Sequence, residues 1–193
     1  MSRFIAGLVV ITALCVTTPA AADAERYVVD KAHSSILFFV NHLGFSRMIG
    51  EFHDFDVTMM FDEDNMENSE VEVVIRTASV DTDVDELDNK LIEPAHMNAE
   101  KFPEARFIST EVRPVDENRM EVLGDLTLFG ETRPMILDVT LNGTGVNPFS
   151  GKPTAGFRVE SSLLRSNYGF NSWIPGVGDE VEFLIEMELM RAG

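Results

Sequence analysis

The sequence predicts an all-β protein, an antiparallel sandwich or barrel, from two observations. Apolar and polar residues alternate in many short segments, and turn-forming residues such as Gly130 and Asn142-Gly143 separate these segments. Successive side chains of a strand point to opposite faces, so each segment has one apolar and one water-facing side. Short strands punctuated by turns are typical of antiparallel sandwiches and barrels. The segments are residues 27–29, 34–42, 48–61, 71–77, 105–112, 120–129, 135–141, 154–164 and 181–189.

The last segment shows the alternation most clearly. One of its faces carries Val181, Phe183, Ile185, Met187 and Leu189, and the other is largely acidic. This pattern indicates that one face of the strand is buried and the other faces water. Alternation alone does not distinguish a barrel filled by its own side chains from a hollow one, so both alternatives stay open at this point.

Two segments depart from simple alternation. Residues 34–42 are apolar on both faces, because Leu37 and Phe39 add a second apolar side. We expect this strand to be covered on both sides, by a helical insert or by a second subunit. In residues 48–61 the phase changes between Phe52 and Phe55, which predicts a β-bulge near His53-Asp54.

A short helical insert interrupts the strand pattern at residues 83–92. Apolar residues recur at helical spacing, acidic residues occupy the first turn, and Lys90 lies near the end. Pro94 ends the helix. Residues 95–101 are compatible with a second short helical turn before Pro103.

The first 22 residues predict a cleaved signal peptide. Arg3 precedes an apolar run over residues 4–16, and Ala20-Ala21-Ala22 supplies a small-residue cleavage pattern. The mature domain is then residues 23–193. Cys15, the only cysteine, leaves with the signal; a lipoprotein signal is the alternative, but the residue before Cys15 is a bulky Leu. Export of a cysteine-free chain favours the periplasm.

The charge balance excludes several partners. The chain has 15 Lys and Arg against 33 Asp and Glu, a formal net charge of −18. Such a surface repels nucleic-acid phosphates and anionic lipid headgroups, although it could dock a cationic partner. With 2 Tyr and 1 Trp, the chain lacks the aromatic girdles of an outer-membrane barrel. We expect no nucleic-acid binding and no stable membrane insertion.

Signals of catalysis or metal binding are weak. The sequence has no Gly-x-Ser-x-Gly motif, no phosphate-binding loop and no cysteine in the mature chain. The four His residues do not follow metal-ligand spacing, so a site could only be assembled in space, for example from His33 and His42. We therefore predict no enzyme, no metal and no catalytic residues.

A series of short motifs runs along the mature chain. They are Asp30-Lys31-Ala32-His33-Ser34, His42-Leu43-Gly44, Ala78-Ser79-Val80-Asp81-Thr82, Lys101-Phe102-Pro103, Phe107-Ile108-Ser109-Thr110, Gly124-Asp125-Leu126-Thr127-Leu128, Thr132-Arg133-Pro134, Arg165-Ser166-Asn167-Tyr168-Gly169 and Val177-Gly178-Asp179-Glu180-Val181. In residues and in order, this series resembles the YceI-like family of exported bacterial proteins, which are polyisoprenoid-binding and lipocalin-like.

The resemblance implies an eight-stranded antiparallel lipocalin-like barrel with a short helical insert. It also implies an internal tunnel for an isoprenoid, an isoprenoid quinone or a similar lipid, and a homodimer. The expected function is that of a periplasmic carrier, with the bound lipid in place of a cofactor. An enzyme of isoprenoid or quinone metabolism, and a filled barrel acting through protein contacts, are the alternatives.

The chain departs from the family pattern around the expected tunnel mouth. Leu87 stands where the family usually has Arg, Lys90 where it has His, and Phe129 where His is common. The family more often has Asp at the position of Asn167, which precedes Tyr168. These changes remove polar groups that could bind a headgroup, and they leave its identity open.

The inward phases of the strands, together with the resemblance, predict the site residues. Gly50, Gly124 and Ser161 lie on inward phases and are expected to leave room for a ligand. At the tunnel mouth we expect His42, Asp88, Arg133, Arg165 and Trp173, with the two Arg side chains pairing with carboxylates. The predicted tunnel lining is Ile36, Phe38, Val40, Phe52, Val73, Ile75, Leu126, Leu128, Phe157, Phe183, Ile185 and Met187.

Overall fold

The structure, a computed structural model, describes residues 24–193. The predicted signal peptide lies outside the described residues. One α-helix, four short 3-10 helices and an 11-stranded sheet make up the regular structure of these residues. The elements are β1 (Glu25–Val29), β2 (Ser35–His42), β3 (Ser46–Phe52), β4 (Phe55–Phe61), β5 (Glu70–Arg76), β6 (Val80–Asp81), α1 (Asp85–Leu91), β7 (Glu104–Pro114), β8 (Arg119–Leu128), β9 (Glu131–Val146), β10 (Pro153–Leu164) and β11 (Val177–Arg191).

The strands close into an eight-stranded antiparallel barrel, which confirms the predicted fold. β1 pairs with both β4 and β11, and this double pairing closes the ring. The eleven segments occupy eight positions because β1 with β2, β3 with β4, and β5 with β6 each form one interrupted strand. β11 pairs with β2 along its first part and with β1 at its end.

The interruption between β3 and β4 falls at the predicted residues, His53 and Asp54. Their backbone N–H groups leave the strand ladder and bond to Ser79, at its carbonyl oxygen (3.1 Å) and its hydroxyl oxygen (3.0 Å) respectively. Ser79 lies in the short turn between β5 and β6. The backbone N–H groups at the break therefore find hydrogen-bond acceptors on Ser79, which lies at the neighbouring position of the barrel.

The insert between β6 and β7 contains one helix rather than two. Residues 95–101 form hydrogen-bonded turns, and Asn98 has a left-handed φ of 50°, which interrupts any helix there. Leu87 and Leu91 of α1 pack with Val80 and Met97 over one end of the barrel. None of the helices in the described part of the chain has the length and apolar character needed to span a bilayer.

The outer face of β2 is apolar and lies away from the insert, which packs against the inner side of this strand. Leu37 lies opposite Leu184 of β11, and Phe39 lies beneath the Arg47 guanidinium, 4.7 Å from the ring centroid. Ile49 beside them is 56% exposed. The expectation that the insert covers this outer face is therefore wrong.

Aromatic rings, rather than space for a ligand, lie against two of the inward glycines. Gly50 lies opposite Phe38 across β2 and β3, and a Cβ atom at Gly50 would overlap the Phe38 ring. A Cβ atom at Gly124 would overlap the ring of Phe107 in the same way. The space at both positions is already occupied, which corrects the prediction that these glycines leave room.

We predict that Gly50→Ala destabilises the barrel by about 1–3 kcal/mol, because the added methyl group forces Phe38 out of its packed position. Gly145→Ala is the matched control, since nothing lies within 4 Å of a Cβ atom there. Urea unfolding of both variants measures the difference. Equal effects at the two positions would contradict the close packing.

Candidate functional site

One half of the barrel interior is a cavity of about 680 Å³. It lies between the β2–β3 hairpin, the insert and the segment that precedes β11. Its lining is almost wholly apolar. The residues are Ile36, Phe38, Val40, His42, Leu43, Met48, Phe52, Val73, Ile75, Thr77, Val80, Leu87, Lys90, Leu91, Met97, Ala105, Phe107, Leu126, Leu128, Phe129, Met135, Leu137, Leu163, Arg165, Phe170, Trp173, Gly176, Val177, Val181, Phe183 and Ile185.

Side chains fill the other half of the barrel. Tyr27, Phe61 and Phe157 pack edge to face, with ring centroids 5.5 and 5.6 Å apart. Met187 and Leu189 belong to the same buried cluster. This aromatic plug is the floor of the cavity, so the cavity ends inside the barrel on that side.

The inner face of β11 shows the transition from cavity to plug. Val181, Phe183 and Ile185 line the cavity, and Met187 and Leu189 lie in the filled half. Of the residues predicted to line the tunnel, all except Phe157 and Met187 line the cavity. These two point inward as predicted but lie too deep, because alternation specifies the face of a strand and not the distance along the barrel.

The predicted polar residues divide in the same way. His42, Arg165 and Trp173 line the cavity. Asp88 instead accepts hydrogen bonds from the N–H and hydroxyl of Thr82 (2.9 and 2.6 Å) and so ties α1 to β6. Arg133 is exposed, and its Nε donates to the Asn167 carbonyl at 2.6 Å. Neither Asp88 nor Arg133 lines the cavity.

Arg165 is the buried polar anchor of the site, with 4% of its surface exposed. The predicted ion pair is absent from the described residues, because the Asp179 carboxylate bonds to the N–H and hydroxyl of Ser166 (2.9 and 2.7 Å). The guanidinium donates instead to four carbonyl groups. They belong to Gly178 (2.8 Å), Phe170 (3.3 Å), Ser172 (2.7 Å) and Val177 (3.1 Å).

These bonds hold the segment between β10 and β11 in a fixed path around the mouth. Burial lowers the pKa of the Arg165 guanidinium, and the negative charge of Asp179 partly opposes this shift. The Arg165 guanidinium also lies over the Phe170 ring, 4.8 Å from its centroid. The side chain therefore organises the loop as well as bordering the cavity.

A contact between the insert and this loop closes one side of the mouth. The His96 ring stacks on Trp173 with centroids 4.3 Å apart, and His96 Nδ1 lies 3.0 Å from the Ser172 hydroxyl. The same hydroxyl lies 3.0 Å from the Ala95 carbonyl, and both contacts are hydrogen bonds when the hydroxyl donates to that carbonyl and His96 Nδ1 carries a proton. Burial lowers the pKa of His96; the Glu93 carboxylate partly opposes this shift, and the charge of Lys90 adds to it.

Three bulky residues at the mouth have a left-handed backbone. Leu43 has φ 54°, Phe129 φ 52° and Trp173 φ 65°, and all three line the cavity. Phe129 and Gly130 form the two-residue turn between β8 and β9, where positive φ at both positions is required and Asn-Gly is usual. Bulky side chains in this conformation are uncommon and are concentrated at functional sites.

Several residues that line the cavity were not among the predicted lining and mouth residues. Leu87 and Leu91 are apolar positions of the amphipathic helix, so the helical spacing could have identified them. Lys90 and Phe170 carry no periodic signal. Their positions follow from how the insert and the β10–β11 loop pack over the barrel end.

One group of side chains could offer metal ligands, and it lies away from the cavity. Ligand atoms of Asp30, His33 and Glu188 lie within 4.8 Å of one another. Asp30 already accepts from the Ala32 N–H (3.1 Å) and contacts His33 Nδ1 (2.9 Å). These hydrogen bonds account for the arrangement, and they raise the pKa of His33.

Comparisons with known proteins agree with this architecture. Protein YceI of Salmonella arizonae is 38% identical over 180 residues, which cover 92% of this chain and 93% of that protein. The crystal structure of BcnA from Burkholderia cenocepacia is similar with a TM-score of 0.76 and 22% identity, over 83% of this chain and 98% of that one. A polyisoprenoid binding domain from Saccharophagus degradans, implicated in plant cell wall breakdown, gives a TM-score of 0.62 and 13% identity, over 88% and 99% of the two chains.

The closed antiparallel barrel, filled at one end and hollow at the other, defines a class of cavity-bearing β-barrels. Residues 27–189 match the YceI-like domain. Together with the 38% identity to protein YceI, this match shows that the chain belongs to the YceI-like family, as the sequence motifs indicated.

We predict that Arg165→Lys lowers the free energy of unfolding by about 2–4 kcal/mol, because the three donors of a lysine ammonium cannot satisfy four separated carbonyls. Arg133→Lys is the matched control and should cost less than about 1 kcal/mol, since that exposed side chain bonds to one carbonyl. Urea denaturation midpoints provide the test. Similar losses in both variants would contradict the anchoring role.

We expect His96 to titrate below pH 6.5 and His33 above it, because burial disfavours the charged His96 ring whereas Asp30 favours the charged form of His33. Proton NMR of the ring C–H signals, assigned with His96→Gln, measures both. The stability linked to neutral His96 is complete above pH 6.5 and declines as the pH falls from 6.5 toward the lowered value. A His96 midpoint at or above 6.5 would show that the ring is not buried in this contact.

Proposed function

We propose that the protein is a periplasmic carrier that holds one long-chain lipid, an isoprenoid or an isoprenoid quinone, in the barrel cavity. The observation that carries this proposal is the cavity of about 680 Å³ with an apolar lining and an aromatic floor. Its volume falls in the range of ordinary ligand sites, roughly 300–1,000 Å³.

Burial alone can supply the affinity. Each methylene removed from water contributes about 0.8 kcal/mol before the cost of ordering the chain is subtracted. A branched, flexible chain fits a lining of Phe, Leu, Ile and Val without a charged partner. The presence of a polyisoprenoid binding domain among the structural relatives supports an isoprenoid as the class of lipid.

The alternatives draw less support. The alternative of a barrel filled by its own side chains fits only the half of the interior that contains the aromatic plug, because the other half is a cavity. For an enzyme of isoprenoid or quinone metabolism, the described lining offers neither a carboxylate nor a thiol, and the Thr77 hydroxyl is engaged with the Phe102 carbonyl at 2.6 Å. Membership of the YceI-like family also supports binding over catalysis.

Two further expectations rest on sequence and resemblance. Export to the periplasm follows from the signal pattern in residues 1–22. A homodimer is implied by the resemblance, and the surface that we propose for it is the outer apolar face formed by exposed Ile49 and half-buried Leu37 and Phe39. Analytical ultracentrifugation of the wild type and of Ile49→Glu tests that interface separately from lipid binding.

We predict that Phe183→Lys or Phe38→Asp weakens binding of a long-chain quinone at least about 100-fold, because each variant places an unpaired charge in the apolar cavity. Trp173, the only tryptophan, lines the mouth, so quinone titration followed by quenching of its fluorescence reports binding directly.

Phe149→Lys is the matched control. Phe149 is 97% exposed, in the turn between β9 and β10, and lies away from the cavity. This variant should quench like the wild type, and far-UV circular dichroism should show that all variants remain folded. If folded Phe183→Lys shows the same quinone-dependent quenching as the wild type, the cavity is not the binding site.

A further inference from the structure

The open end of the barrel carries exposed apolar side chains on two adjacent tips. One tip is the β2–β3 turn with Leu43 and Phe45, and the other is the segment before β11 with Trp173 and Ile174. The Leu43 N–H donates to the Gly176 carbonyl at 2.8 Å, so the two tips lie side by side. We call these exposed side chains of the two tips the apolar rim.

Lipid binding in the cavity does not account for the whole rim. Leu43 and Trp173 line the cavity, but Phe45 and Ile174 do not. Phe45 is nevertheless 88% exposed, and Ile174 is exposed as well. Single exposed apolar residues are ordinary, whereas adjoining ones mark interaction sites. Here they adjoin the cavity too, so its apolar lining continues onto the outer surface.

The two tips lack the acidic charge of the chain as a whole. The chain has 33 Asp and Glu residues, yet residues 31–50 and 161–178, which contain the tips, include none of them. A carboxylate resists transfer from water to an apolar medium, so the tips can enter such a medium without that cost. The insert does carry exposed carboxylates, for example Asp85 and Glu86, which limits immersion to the tips.

Contacts within the protein hold the rim in place. The Trp173 ring stacks on His96, and the Trp173 carbonyl accepts the Val177 N–H at 2.9 Å. Leu43 is tied to the second tip through Gly176. A surface that is already ordered loses little conformational entropy when it binds.

We propose that the apolar rim docks reversibly on the surface of an electrically neutral lipid bilayer, with the cavity mouth facing the membrane. A stable protein interface takes about 20–30 residues on each side, which two narrow tips do not supply. A bilayer surface requires no matching shape, and Trp and large apolar side chains are enriched where proteins enter it.

The choice of a bilayer rests in part on the proposed function, because docking in this orientation brings the mouth to the medium that contains lipid. Contact is with one leaflet, and the barrel itself stays in water. The acidic outer surface repels anionic headgroups, which is why the proposal specifies a neutral bilayer.

Flotation with phosphatidylcholine vesicles measures this docking, since only vesicle-bound protein rises in a density gradient. The wild type should float, and high salt should change little, because burial rather than charge holds it. Phe45→Ser should lower the partition coefficient about tenfold. Phe149→Ser is the matched control, since it removes a similarly exposed Phe from the turn between β9 and β10, and it should float like the wild type.

Phe183→Lys separates docking from lipid uptake, because it places a charge in the cavity and leaves the rim unchanged. This variant should float like the wild type. Phosphatidylcholine with brominated acyl chains should also quench its Trp173 fluorescence, because bromine quenches at contact and Trp173 is the only tryptophan. Phe45→Ser should still bind quinone like the wild type, since Phe45 does not line the cavity.

The outcomes separate this inference from the proposed function. Docking is overturned if the wild type does not float, if Phe45→Ser and Phe149→Ser behave alike, or if folded Phe183→Lys fails to float. A wild-type dimer that Phe45→Ser dissociates also overturns it and assigns the rim to a second copy of the chain. Rim-dependent flotation without quinone binding by the wild type leaves docking intact and overturns the carrier function.

Discussion

The width of an eight-stranded barrel determines what the interior of this protein can contain. Such a barrel encloses a space that its own side chains can fill or that can hold one narrow ligand. Here the two outcomes divide one interior: Tyr27, Phe61 and Phe157 interlock at one end, and the other end is left open. The plug stabilises the closed ring where β1 joins β4 and β11, so the hollow half does not have to supply the stability of the barrel itself.

The mouth depends on a second constraint, which is that irregular backbone must find hydrogen-bond partners. Arg165 meets this need for the loop before β11 by donating to four of its carbonyls. The insert then joins that loop through the contact of His96 with Trp173 and Ser172. Strained residues such as Phe129 are tolerated because the packing around them fixes their backbone. The same anchoring places the Arg165 guanidinium beside an apolar space.

Much of this architecture could be predicted from the sequence, for identifiable reasons. Alternation located the strands and the inward faces, and the phase change at Phe52 and Phe55 located the break between β3 and β4. Depth along the barrel could not be predicted, because Phe183 and Met187 have the same phase on one strand yet lie on different sides of the floor. The partners of Arg165 were missed because every residue has a backbone carbonyl, so the sequence does not mark which carbonyls accept; charge complementarity predicted a carboxylate partner instead.

The proposed carrier function requires that the hollow half of the barrel holds a lipid in the cell. Native mass spectrometry of the protein, purified without detergent from its own cell envelope, tests this requirement. We expect a folded species heavier than the mature chain by the mass of one long-chain lipid per barrel, with that lipid recovered in the organic extract after denaturation. A folded species with the mass of the chain alone, and no lipid in the extract, would contradict it.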